Sequence, residues 1–376
     1  MFKRILLLSF ILLFSSLLVM AQDDDDMPFS SYRADTSNNG VYEGEPIRET
    51  PVELWQVDSA RPSRTTPVVY EGLVYFGNEA GTFTAVDVET GEEVWVLEIG
   101  ESVVSTGAVW DGVLYVGSLD DNVYALDAFT GDILWQFVTE GDVYSSPVLG
   151  EDVLYIGSRD NRVYALALED GAEIWATDTG GQVWSSPALV ENTVYVGNRN
   201  GEIMALDADD GSVAWTVETG STSPVDASPA VRDEVVYIGA GNGIMYALDA
   251  STGDEIWATD LEDGRIYASA SVTETSVYVF GLEGTLHALD IGDGAVQWTV
   301  ELGNPAYSSA TVVGDVVYAL SEEGGLMFGL DANTGEELWR YQTGREGDWR
   351  SGHPVFVDGI LYITSNTEGL LALSSP

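Results

Sequence analysis

The side chains that could do chemistry in this chain fall into three groups. The first is small: two histidines, His287 and His353, and no cysteine. Without cysteine there is no disulfide, no thiolate metal ligand and no lipid-modified N-terminal cysteine, and nothing follows about redox compartment. The two histidines stand in different copies of a sequence repeat, which argues against a histidine-based metal cluster. His287 reads as a packed or surface residue. No serine lies in a nucleophile-elbow context with a base to activate it. The second group is a recurring carboxylate, at Asp87, Asp127, Asp207, Asp249, Asp290 and Asp331. A catalytic acid is needed once, so a carboxylate that returns in nearly every repeat is a structural part. The third group occupies one aligned place in successive repeats: Arg64, Tyr144, Trp184, Asp226, Tyr267, Tyr307 and, in the last copy, Trp349. Aromatics mixed with Arg and Asp suit a peptide edge, a sugar or a planar ligand. The plainer expectation is that they pack at strand ends. No catalytic, cofactor-binding or metal-binding residue is assigned.

The elements that must position these residues come from the repeat. The segment Ala125-Leu126-Asp127-Ala128-Phe129-Thr130-Gly131-Asp132-Ile133-Leu134-Trp135 has close copies ending at Trp95, Trp175, Trp215, Trp257, Trp298 and Trp339, spaced by 40, 40, 40, 42, 41 and 41 residues. Trp55 keeps the same phase without the motif before it. A period of this length belongs to a solenoid, a propeller or another array. One copy shows four short stretches rich in β-branched and aromatic residues: Asp142 to Leu149, Asp152 to Ser158, Arg162 to Leu166 and Ala172 to Thr177. Gly, Asp, Asn or Glu turns separate them. Four short antiparallel strands per repeat predict a β-propeller blade. After Trp339 the chain supplies three more strands, Ser351 to Val357, Ile360 to Thr364 and Leu370 to Leu373, but no fourth. Glu53-Leu54-Trp55 is a fourth strand with no blade of its own. Joining the two predicts an all-β, eight-bladed propeller whose N-terminal strand pairs with the C-terminal blade, leaving no open edge.

Within each copy the Asp accepts turn N–H bonds in an Asx-type arrangement, and the Gly supplies a positive φ. Ala167 replaces the Asp in the third copy, so that residue helps rather than decides. Each Trp is expected to bridge neighbouring blades, burying its indole and donating its N–H to a backbone carbonyl. Blade five departs from the pattern at Ser221-Thr222-Ser223-Pro224-Val225-Asp226, and such departures are where function is to be sought.

Charge is the outlier of the composition: 14 Lys plus Arg against 62 Asp plus Glu, for a net charge of −48. Such a surface repels nucleic acid and anionic lipid, and its scattered acids suit a salty medium where screening blunts self-repulsion. Residues 1–21 read as a signal peptide, with Lys3 and Arg4, an apolar run from Ile5 to Met20 and a Val-x-Ala cleavage site; an uncleaved anchor is the alternative. Residues 22–50, opening with Asp23 to Asp26, read as an acidic, irregular lead-in strap, and residues 51–376 as the propeller. The expected location is secreted or periplasmic, with no transmembrane span after cleavage.

The motif Ala-x-Asp-x-x-Thr-Gly-x-x-x-Trp resembles the tryptophan-docking motif of pyrroloquinoline quinone (PQQ) type propeller repeats. Those repeats occur in quinoprotein alcohol dehydrogenases and in BamB-like outer-membrane assembly proteins. The resemblance covers residues 53–376, and Arg33-Ala34-Asp35 with Gly40-Val41-Tyr42 is similar to the segment preceding such propellers. It implies either a scaffold or an enzyme. The dehydrogenases are larger and build their quinone pocket from long insertions, several with a vicinal disulfide and a calcium ion. This chain has no cysteine and blades of nearly uniform length. The expectation is therefore a non-catalytic, monomeric binding or assembly scaffold without a cofactor, whose partner is another protein or an extracellular ligand. A small PQQ- and calcium-dependent dehydrogenase acting on an alcohol or a sugar is the alternative.

Overall fold

The computed structural model describes residues 29–30, 32–59, 61–220, 223–303, 307–321, 324–344, 352–365 and 369–376. The signal segment, the acidic run at 23–26 and Trp349 lie outside them. Among the described residues there is no helix, and eight small sheets make the eight blades. Blade three is typical: Val148–Leu149, Val153–Gly157, Arg162–Ala167 and Glu173–Asp178, each antiparallel to the next. The second and third strands are buried over most of their length because a neighbouring sheet covers each face. The fourth strand is the exposed outer edge, and in blade four only Trp215 of Val213–Glu218 is buried. That difference explains why the middle strands read as apolar runs while the outer ones are mixed.

The predicted closure holds. Blade eight joins Val355–Val357, Ile360–Ser365 and Gly369–Ser374 to the N-terminal strand Val52–Val57, which pairs antiparallel with Gly369–Ser374. Trp55 thereby becomes the eighth docking tryptophan, and seven of the eight indoles donate to the next blade. Trp95 reaches Ala128 O at 2.9 Å, Trp135 reaches Leu168 O at 2.9 Å, Trp175 reaches Ala208 O at 2.9 Å and Trp215 reaches Ala250 O at 2.9 Å. Trp55, Trp257 and Trp298 repeat the contact with Val88, Ile291 and Ala332. Each of these indoles lies on the turn glycine of the next blade. At Gly211, with φ +71°, an added Cβ would stand 2.6 Å from Trp175 Cε3. The glycine thus serves the turn and the docking face together. The recurring Asp accepts as expected: Asp127 Oδ1 takes the N–H of Phe129 at 2.9 Å and of Thr130 at 2.8 Å. In blade three, where Ala167 stands instead, Asp170 accepts from Ala172 N–H.

Trp339 has no following turn to dock on, because blade eight is split between the chain ends. The lead-in supplies the substitute: Trp339 donates to Ile47 O at 2.8 Å, and Ile47 N–H donates to Tyr318 Oη at 2.7 Å. The lead-in also runs beneath successive first strands. Its carbonyls at Thr36, Ser37, Asn39 and Gly40 accept the N–H groups of Leu189, Val231, Val272 and Val312 in blades four to seven. Val41–Tyr42 continues as a parallel strand on Thr311–Val313, and Phe29–Ser30 pairs with blade two. The strap thus satisfies edge N–H groups that would otherwise be buried unpaired.

One sequence expectation needs correction. The first strands of blades three and eight were expected to run from Asp142 to Leu149 and from Ser351 to Val357, but the ladders cover only Val148–Leu149 and Val355–Val357. The Tyr144-Ser145-Ser146 segment makes other bonds, and those bonds build the axis.

Candidate functional site

The aligned serines and threonines next to the axis form a closed hydrogen-bonded ring, one residue from each blade. Thr66 N–H donates to Thr106 Oγ1 (3.1 Å), Thr106 N–H to Ser146 Oγ (2.9 Å) and Ser146 N–H to Ser186 Oγ (2.9 Å). Ser186 N–H donates to Ser228 Oγ (2.8 Å), Ser228 N–H to Ser269 Oγ (3.0 Å) and Ser269 N–H to Ser309 Oγ (2.8 Å). In blade eight a histidine takes the hydroxyl's place. Ser309 N–H donates to His353 Nδ1 at 2.7 Å, and His353 N–H donates to Thr66 Oγ1 at 3.2 Å, closing the circle. An Nδ1 that accepts carries no proton, so the ring requires neutral His353 protonated on Nε2. Burial, with the nearby Arg33 charge adding to it, holds the imidazole pKa down at about 3.

Two residues before each ring member stands the variable position, and the structure brings six of the predicted residues together. Arg64, Tyr144, Trp184, Asp226, Tyr267 and Tyr307 line one axial cavity of about 470 Å³, with Arg199 and His353 completing its wall. Tyr144 and Trp184 stack with centroids 4.5 Å apart and planes 4° from parallel. The Arg199 guanidinium lies 3.8 Å from the Trp184 ring centroid. A ring and a guanidinium cannot share one indole face at those distances, so both faces of Trp184 are covered. Across the mouth Tyr267 and Tyr307 stack at 5.6 Å, and Arg265 Nη1 donates to Tyr267 Oη at 2.9 Å.

Charges at the mouth are largely paired. Arg64 meets Glu79 and Arg159 meets Asp142. Arg199 Nε lies 3.3 Å from Asp226 Oδ1, close enough for ion pairing but without hydrogen-bond alignment. Burial raises the Asp226 carboxyl to about 6 against the opposing pull of Arg199 and Arg265. Four guanidinium groups therefore gather at one opening of a chain whose net charge is −48. Continuous with the mouth and sharing its side chains, a smaller chamber of about 150 Å³ is lined by the ring hydroxyls other than Ser309, with Tyr32 and His353. Tyr32 Oη lies 3.1 Å from His353 Nε2 and 3.3 Å from Ser269 Oγ.

These six residues share an axial cavity and also pack on one another in the Tyr144–Trp184 and Tyr267–Tyr307 stacks. The seventh, Trp349, lies outside the described residues. Sequence reasoning missed Arg199, His353 and Tyr32. Arg199 carried one usable signal, being a rare cation in a turn otherwise occupied by polar and acidic residues. His287 is buried, as one of its two expected placements held, with Nε2 at 3.5 Å from Asp263 Oδ2. The glycines of the Asp-x-x-Thr-Gly turns lie against the docking indoles.

Comparison with known proteins agrees with the repeat. No curated protein matches the sequence. Among solved structures, BamB from Moraxella catarrhalis superposes with a TM-score of 0.72 at 18% identity, covering 86% of this chain and 98% of that one. The quinohemoprotein alcohol dehydrogenase of Comamonas testosteroni gives 0.80 at 18% identity, covering 91% and 79%. The computationally designed protein Ika8 gives 0.73 at 18% identity, covering 86% and 99%. At such identity these likenesses establish the fold alone. A sequence-family model reaches further, matching residues 48–146, 139–274 and 242–375. With its docking tryptophans, turn glycines and eight closed blades, this chain belongs to the PQQ-type propeller family described as outer membrane protein assembly factor BamB.

Proposed function

We propose that this protein is a non-catalytic, extracytoplasmic binding and assembly scaffold that engages its partner through the axial mouth. One observation carries the reading: blades that repeat their docking Trp, turn Gly and ring hydroxyl nevertheless place Arg64, Val104, Tyr144, Trp184, Asp226, Tyr267 and Tyr307 at the one position facing the mouth. Variation confined to one rim of a repetitive scaffold is what selective recognition requires. Half-buried aromatics flanked by arginines match the composition of protein-binding hot spots. Family membership supports the assembly role, and the basic, apolar N-terminal segment supports export. Among the described residues no helix is long and apolar enough to cross a membrane. The test is quantitative affinity capture from the extracytoplasmic fraction with wild type and with Tyr144→Ala/Tyr267→Ala. A partner enriched by wild type and lost with the folded variant supports the reading. Equal capture by both overturns the assignment of the mouth.

The second reading is a small quinoprotein dehydrogenase acting on an alcohol or a sugar, favoured by the size of the cavity. The residues present do not fit its cofactors. Trp184 offers no free face for a planar quinone, and among the described residues no cluster of three or more His, Cys, Asp or Glu could hold a calcium ion. Saturable, dye-linked oxidation after addition of PQQ and calcium would establish the enzyme instead.

A further inference from the structure

The hydroxyl ring leaves a set of protons without protein acceptors. A serine or threonine hydroxyl has one proton to donate and two lone pairs to accept with. Thr66, Thr106, Ser146, Ser186 and Ser228 each accept the N–H of the preceding blade. Among the described residues none of these five hydroxyls donates to a protein atom. Their acceptor side is held by the blade boundary, which leaves the O–H bonds to turn toward the axis. All five line the 150 Å³ chamber. Tyr32 and His353 close its floor and partner each other, since Nε2–H of the neutral imidazole donates to Tyr32 Oη.

A second, independent feature is a buried positive charge beside the same ring. Arg33 is 2% exposed and makes no ion pair among the described residues. Its Nη2 donates to Ala270 O at 2.8 Å, Ser271 Oγ at 2.8 Å and Ala310 O at 3.3 Å, so the guanidinium sits against the residues that immediately follow ring members Ser269 and Ser309. Nη1 is buried with no hydrogen-bond partner. A buried guanidinium without an ion pair is costly, and burying a further counter-charge nearby relieves it. Asp35, whose carboxylate accepts from Ser37 and Asn39, offsets that charge only through space, without an ion pair to the guanidinium.

We propose that the axial chamber is a binding site for a halide-sized monovalent anion, chloride being the simplest, held by inward-turned Ser and Thr hydroxyls in the field of Arg33. Asp226, at the upper wall, directs the anion to the lower, hydroxyl-lined end and disfavours a doubly charged guest. The site opens into the partner-binding mouth and shares Arg64, Tyr144, Trp184, Asp226, Tyr267 and Tyr307 with it, but its test does not depend on that assignment.

The experiment has a crystal arm and a solution arm, both on wild-type protein. Crystals grown in sodium bromide are measured at the bromine absorption edge, and one anomalous peak inside the ring of Thr106, Ser146 and Ser186 is expected. Density without anomalous signal means water, and overturns the proposal. In solution, Tm is measured in sodium chloride and in sodium gluconate at equal ionic strength, gluconate being too large to enter. A chloride-specific rise in Tm that saturates is expected, and it should vanish in Ser146→Ala/Ser186→Ala. Equal Tm in both salts overturns the proposal even if a crystal peak is found, because binding would then occur at crystal concentration only. A saturating rise unchanged in the folded double variant also overturns it, by placing the anion elsewhere.

Discussion

The ring of eight gives one residue unusual leverage over stability. His353 must be neutral to accept Ser309 N–H through Nδ1, and a proton there would set two donors face to face at 2.7 Å. Its pKa is lowered from 6.5 to about 3, by burial first and by the Arg33 charge second. A folded-state pKa below the unfolded one means that the stabilisation is fully present above pH 6.5 and is lost as pH falls toward 3. At 1.36 kcal/mol per pH unit, acidification from pH 7 to 4.5 withdraws about 3 kcal/mol through this residue alone. Protonation of the many surface carboxylates moves stability in the other direction by relieving repulsion, so wild type alone does not isolate the effect. His353→Asn does. Its amide oxygen can accept the same N–H and does not titrate. Urea unfolding of both proteins at a series of pH values should show the stability difference shifting by about 3 kcal/mol in favour of the variant between pH 7 and 4.5. Parallel pH profiles would refute the reasoning, since they would mean that the ring accepts a protonated imidazole or that His353 is not its eighth member.

Other outcomes are expected from the same geometry. Trp215→Ala removes an indole that bonds Ala250 O and covers Gly253, and should cost about 3–5 kcal/mol; a melting curve within a degree of wild type would contradict the docking role. Gly211→Ala places a side chain at φ +71° and against the Trp175 ring, so denaturant unfolding should show a loss above the roughly 1–2 kcal/mol of left-handed backbone alone. Asp226 has a folded pKa raised to about 6, so its stabilisation is present below the ordinary carboxylate range and is lost as pH rises through 6. Asp226→Asn should therefore be more stable than wild type at pH 7 by up to about 3 kcal/mol, with the gain vanishing near pH 4, as read by urea unfolding at both pH values.

Blade number and closure were legible because their cause is local and periodic. Each Trp docks on a Gly a fixed distance along the chain, so counting motifs counts blades, and the unmatched Trp55 at one end answers the missing strand at the other. The six mouth residues were legible for the same reason, since alignment to the repeat places them on one radius. What the repeat could not reveal were the places where a non-repeating segment replaces a repeating part. Ile47 stands in for a turn carbonyl 292 residues from Trp339, and His353 stands in for a hydroxyl. Tyr32 reaches the axis from the lead-in and meets His353.

The amino-acid sequence by itself determined the all-β ring, its eight blades and the inter-blade role of the Trp and Gly, because those depend on spacing and side-chain type within about 40 residues. Only the tertiary structure decided that Arg199 covers Trp184, that Arg33 is buried without an ion pair, and that the inner N–H groups bond hydroxyls of the next blade. Those contacts join segments brought together by closure of the ring. Their energies depend on burial and distance, which no single repeat contains.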